Sequence, residues 1–137
     1  MDWTLELVMI PVADVDRAKA FYIEQAGFHL DVDHRAGDFR VVQLTPPGSA
    51  CAIALMENTD APGSAQGLHL VVADIAAARA ALVARGMTVG DIFHYGATGQ
   101  AAGPDPQRSN YNSFLPFSDP DGNGWLVQEV RRSAPGA

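Results

Sequence analysis

Four histidines, at positions 29, 34, 69 and 94, one cysteine, Cys51, and the closing pair Gln128 and Glu129 are the side chains through which this chain would most readily do chemistry. Imidazole exchanges protons near neutral pH and ligates metals, while carboxylates act as acids, bases or hard ligands. His29 and His34 stand in FHLDVDHRAG beside Asp31, Asp33 and Arg35, a charged pattern that reads as a solvated strand and turn. Cys51, between Ala50 and Ala52-Ile53, reads as a small buried hydrophobe rather than a nucleophile. His94 and Tyr95 close a strand and open a Gly- and Pro-rich loop running from Gly96 to about Asn110. Loops beyond about 12 residues are often lids or binding loops, which makes His94, Tyr95, Arg108, Tyr111 and Asn112 candidates for covering a ligand. A surface excursion or a dimer contact is the competing reading. Arg40 and Gln43 are three apart on DFRVVQLTP and face opposite ways, so only one can point inward; Arg40 is the candidate contact. Of the aromatic residues, which are core by default, a few could line an apolar pocket, and Trp125 is the candidate among them.

The whole chain limits what these residues can serve. At 137 residues it fits one compact domain, with 47% hydrophobic and 18% charged residues. A formal net charge of −7, with no basic run beyond Arg131-Arg132, argues against a nucleic-acid partner. No window is apolar enough for a membrane span, and MDWTLELVM lacks the pattern of a secretory signal. A single cysteine forbids an intrachain disulfide and suits a reducing compartment, so a cytoplasmic location is expected.

The elements that must position these side chains come from a duplication at an offset of sixty. Val8 to Ala18 and Leu68 to Ala78 are each a β-branched, apolar strand followed by Val-Ala-Asp and a helical pattern. Asp14 and Asp74 stand where an N-cap belongs, and Val15, Ala18, Tyr22 and Ile75, Ala78, Leu82 repeat one apolar stripe. Gly27 and Gly86 suit the left-handed position that ends a helix. Strand-like segments FHLDVDH, DFRVVQLTP and ACAIALME follow in the first half, and TVGDIFHY, SFLPF and GWLVQEV in the second. Each half thus reads β-α-β-β-β: module 1 spans 5–57, a polar linker 58–66, module 2 spans 67–130, and a tail 131–137 closes the chain.

This duplicated entry, joined to the closing turn SDPDGNGWLVQEV, resembles the vicinal oxygen chelate superfamily of glyoxalase I, extradiol dioxygenases, and fosfomycin and bleomycin resistance proteins. The resemblance implies an α+β fold: two tandem βαβββ modules forming curved mixed sheets around a cavity, helices outside, in a homodimer. It also implies a divalent metal held by His, Gln or Glu. Counted from the helix-entry Asp and the closing turn, the matching positions here are Leu7, Ala54, Gly67 and Leu126, none of which offers a donor atom. The expectation is therefore no metal and no cofactor of the usual kind. A displaced site on His69 with Glu6, Glu57 or Glu129 would need register slips that turn the apolar stripe of a strand outward.

By the same register His69, two beyond Gly67, and Gln128, two beyond Leu126, face the cavity, whereas Glu129 faces away. His69 is either a half-buried, hydrogen-bonded strand residue or a ligand contact and general acid or base. Three functions follow: binding and sequestration of an apolar or aromatic small molecule, as in resistance proteins; a metal-independent lyase- or isomerase-type enzyme using His69; or a metal-dependent enzyme with a displaced site.

Overall fold

The computed structural model describes residues 1–57 and 61–131; parts of the expected linker and tail therefore lie outside the described residues. Each copy of the repeat begins as a short strand that feeds a capped helix. β1 (Leu7–Pro11) leads to α1 (Val15–Ala20), then β2 (His29–Ala36), β3 (Phe39–Thr45) and β4 (Ala52–Met56). β5 (Leu68–Val72) leads to α2 (Ile75–Ala84), then β6 (Phe93–Gly96), β7 (Gly99–Ala102), β8 (Phe114–Ser118) and β9 (Gly124–Glu129).

The two helix entries are built alike. Asp14 and Asp74 accept from the third helical amides, of Arg17 and Ala77, at 3.2 and 3.1 Å. A glutamate from the end of each half takes the first helical amide: Glu57 accepts from Val15 N at 2.8 Å and Glu129 from Ile75 N at 2.9 Å. A negative charge at the positive end of the helix dipole adds to both bonds. Asp and Glu thus satisfy two of the free amides of each first turn.

The chain divides into two compact units. The first comprises Met1–Gln66 with Asp119–Asn123, the second Gly67–Ser118 with Gly124–Ala137. In the first, the strand order is β1-β4-β3-β2, with β1 parallel to β4 and the other pairs antiparallel. Its core lies on the α1 side: Ile10, Leu55, Val42 and Leu44 alternate onto that face and meet Val15, Ala18 and Tyr22, all buried. Leu7, Met9, Ala54, Gln43 and Val32 occupy the opposite face.

The closing motif is part of this first unit. The buried Asp119 receives the amides of Asp121 and Asn123 on Oδ1, and the Tyr22 hydroxyl and Asn123 Nδ2 on Oδ2, at 2.8 to 2.9 Å. Asn123 in turn donates to Pro11 O at 2.9 Å and accepts from Ala65 N at 3.0 Å. Asp121 accepts from Ala13 N and pairs with Arg17. Except for Asp121 Oδ2, which is buried without a partner, these side-chain groups bond to one another and to the backbone around them, so the motif acts as a structural clasp.

The second unit orders its strands β5-β9-β8-β6-β7, with β5 parallel to β9 and the remainder antiparallel. α2 packs on β8 and β9, over Leu115 and Val127.

Three details differ from the expected elements. α1 does not run unbroken to Gly27; it passes at Phe21–Gln25 into a π-helical turn, and Phe28 N reaches back to Tyr22 O. The span from Thr88 to Ile92 is irregular, with strand beginning only at Phe93. The long loop is also interrupted, because Gly96-Ala97-Thr98-Gly99 forms a hairpin turn and Gly99–Ala102 pairs with β6. Gly99, at φ 115°, adopts a conformation open mainly to glycine, which is how a low-propensity GQAA segment becomes a strand. Among the described residues no helix is long and apolar enough to cross a membrane.

Candidate functional site

Strand register in the second unit sorts the candidate residues onto two faces. Across β5, β9, β8 and β6, His69 is paired with Leu126, Val71 with Gln128, Gln128 with Phe114, and Phe114 with Phe93. These residues, with Pro116 and Tyr95, share the face that α2 does not cover. Leu68, Leu70, Trp125, Val127, Glu129, Leu115 and Phe117 share the other.

The uncovered face is largely apolar. Phe93 and Phe114 stack with ring centroids 5.3 Å apart, and Tyr95 meets Phe114 edge-on at 5.7 Å. Val71 is 41% and Tyr95 55% exposed. Two polar side chains border this aromatic cluster and its strand neighbours. Gln128 donates through Nε2 to Tyr111 O at 3.1 Å. His69 is exposed and holds Nδ1 2.7 Å from Gly67 O. A carbonyl only accepts, so Nδ1 carries the proton and Nε2 is left as an acceptor. Together they make a flat apolar platform with two directing hydrogen-bonding groups.

Several candidates do not join this platform. Trp125 is buried and stacks on Phe117 at 5.8 Å, on the α2 side, because odd positions of β9 alternate into the core. In the first unit Arg40 shares the α1 side with Val42 and Leu44 and is held there by Asp33 and Asp16, at 3.0 and 2.8 Å. Arg40, and with it Lys19, holds the Asp33 carboxyl well below the usual range. Gln43, its alternate, lies on the opposite face with Ala54. Arg108 is spent on Glu129, Nε donating to Oε1 at 2.9 Å and Nη2 to Oε2. Asn112 clasps the Tyr95 backbone, accepting from its N and donating to its O, both at 3.0 Å. Tyr111 is exposed at φ 70° and donates its amide to Glu129 O. His94 is buried on the face opposite Tyr95.

Glu129, expected to face away from the cavity, does share the side of Trp125 and Val127, and there it has a role that its sequence did not suggest. It is wholly buried, yet its bonds from Arg108 and Ile75 N keep its carboxyl below the usual range against the opposing effect of burial. Its signal was the matched placing of Glu57 and Glu129 after equivalent last strands. Asp105, also missed, is buried and accepts from Gln107 N, Ser109 N and Asn112 Nδ2.

The metal that the fold implies finds no donor set at the matching positions. Leu7 and Ala54 lie on one face of the first sheet, Gly67 and Leu126 at the corresponding strands of the second, and no side chain there ligates. Among the described residues, no three of His, Cys, Asp and Glu gather as a cation would require. The residues present do not fit that metal.

Comparison with known proteins places this arrangement. A family model described as Glyoxalase/Bleomycin resistance protein/Dioxygenase superfamily matches residues 4–127. Among solved structures, TnmS3, an antibiotic binding protein from Streptomyces sp. CB03234, is 30% identical; the alignment covers 93% of this chain and 96% of that one, with a TM-score of 0.72. A glyoxalase/bleomycin resistance protein from the same strain is also 30% identical, with 92% and 100% coverage and a TM-score of 0.70. A superfamily member from Sphaerobacter thermophilus DSM 20745 is 28% identical, covering 94% and 98%, with a TM-score of 0.71. No curated protein sequence matches at a significant level. With its duplicated strand-helix entries, its two mixed sheets and a match over most of its length, the chain belongs to the Glyoxalase/Bleomycin resistance protein/Dioxygenase superfamily.

Proposed function

We propose that the protein binds a flat, apolar or aromatic small molecule without a metal and sequesters it rather than transforming it. The observation that carries this reading is the uncovered face of the second sheet, where Phe93, Phe114, Tyr95, Val71 and Leu126 surround only two directing polar side chains, His69 and Gln128. Apolar walls with a few hydrogen-bonding groups are the usual make-up of small-molecule sites. The antibiotic binding relative at 30% identity supports a small-molecule ligand. The protein acts in the cytoplasm as a homodimer in this proposal; the apolar side chains exposed on both sheets, Met9 at 62% and Val71 at 41%, favour a covering partner or ligand.

A second reading has one observation in its favour. With Nδ1 fixed on Gly67 O, His69 offers Nε2 as an acceptor, the form a general base requires. Titration of the protein with a panel of flat aromatic compounds, followed by recovery of each compound, separates the two. Saturable binding with every compound recovered unchanged supports sequestration, and product that disappears in His69→Ala supports catalysis.

A further inference from the structure

A second groove lies at the other end of β6, between residues 94–97 and the 105–112 segment. His94 borders it. Only 9% of this residue is exposed, and its Nδ1 lies 2.8 Å from Gly103 O. A carbonyl cannot donate, so Nδ1 bears the proton and Nε2 is an acceptor. Among the described residues no donor meets Nε2, nor is it sealed away as a buried unmatched atom. A nine-tenths buried imidazole therefore borders the groove with one ring nitrogen unpartnered, an acceptor when the ring is neutral.

Asp105 borders the same groove and is 7% exposed. Bonds from the amides of Gln107 and Ser109, from Asn112 and from the Ser109 hydroxyl favour its charged form. The Gln107 amide reaches Oδ1 at 3.0 Å, and the Ser109 amide and Asn112 Nδ2 reach Oδ2. Among the described residues no cation pairs with Asp105, since the guanidinium of nearby Arg108 is held by Glu129. The groove thus combines a neutral nitrogen acceptor with an uncompensated carboxylate. With only these two ligating side chains, it suits a hydrogen-bonding organic cation better than a metal ion.

We propose that this groove is a binding site for a small primary amine or amino sugar, its ammonium donating to His94 Nε2 and pairing with the Asp105 carboxylate. The groove shares Tyr95 with the edge of the aromatic face, while His94 alternates to the opposite face of β6. The net charge of −7 draws cations toward the protein at low ionic strength.

The test is a nuclear magnetic resonance titration of the full chain with glucosamine, using N-acetylglucosamine and glucose as neutral controls. The expected result is saturable shifts of the His94 ring and Asn112 side chain with glucosamine alone, weakened about tenfold in His94→Phe, as loss of a bond to a charged group implies. The wild-type comparison of charged and neutral sugars stands even where the variant fails to fold. Equal shifts from all three sugars, shifts mapping elsewhere, or no saturable shift would each overturn the proposal.

Discussion

Glu129 shows how one side chain can settle the question that a closing Gln-Glu pair raises. Buried, bonded to Arg108 and to the first amide of α2, it is a structural anchor, and its neighbour Gln128 faces the aromatic platform. The pair is half-buried, with Arg108 38% exposed, so Glu129→Ala should cost about 1–3 kcal/mol and lower the urea midpoint accordingly; a loss within experimental error would refute the anchor role. The same carboxylate sets a pH dependence. Because its folded value lies below its unfolded one, it contributes stability that is complete above the ordinary glutamate range and lost as pH falls through the folded value. Unfolding free energy measured against pH should therefore fall less steeply on the acid side in Glu129→Gln than in the parent, and parallel curves would contradict this. In the first unit, Tyr22→Phe removes a 2.8 Å bond to buried Asp119 and should cost about 1–2 kcal/mol by denaturant titration.

At the scale of elements, the order of strands and both helix entries were legible because they rest on local chemistry. Val-Ala-Asp places a cap, and strand alternation is a period of two that survives any tertiary context. His69 and Gln128 could be set on one face for that reason. What was not legible depended on partners distant in sequence. Arg40 or Gln43 was a choice that Asp16 and Asp33 decide, and Arg108 reads as a free loop cation until Glu129 is seen behind it. Asn112 acts as a surrogate strand residue for Tyr95, and Gly99 turns the expected loop into a hairpin. The clasp within the first unit joins segments far apart in sequence and is equally hidden: Gly63, at φ 82°, would place a Cβ 2.1 Å from Asp121 O. Gly63→Ala should therefore destabilise markedly in a thermal melt, whereas Gly37→Ala, at φ 60° with nothing within 4 Å, should cost less; equal losses would show that the close approach is immaterial.

For the whole molecule, membership of the superfamily fixes architecture and leaves chemistry to the site. Here the positions that would hold a metal carry Leu7, Ala54, Gly67 and Leu126, and the sheet face nearby offers aromatic area with two polar guides. Binding should then depend on area and on those guides. Phe114→Ala removes the buried ring on which both Phe93 and Tyr95 pack and should weaken an aromatic ligand by about two- to tenfold, the 0.5–1.5 kcal/mol of one aromatic pair. The most direct measurement is calorimetric titration of flat aromatic compounds into the protein, with and without prior chelation, followed by recovery of the ligand. The proposed function predicts saturable binding that is unchanged by the chelator and returns the compound intact. Binding or turnover that vanishes on chelation would contradict it.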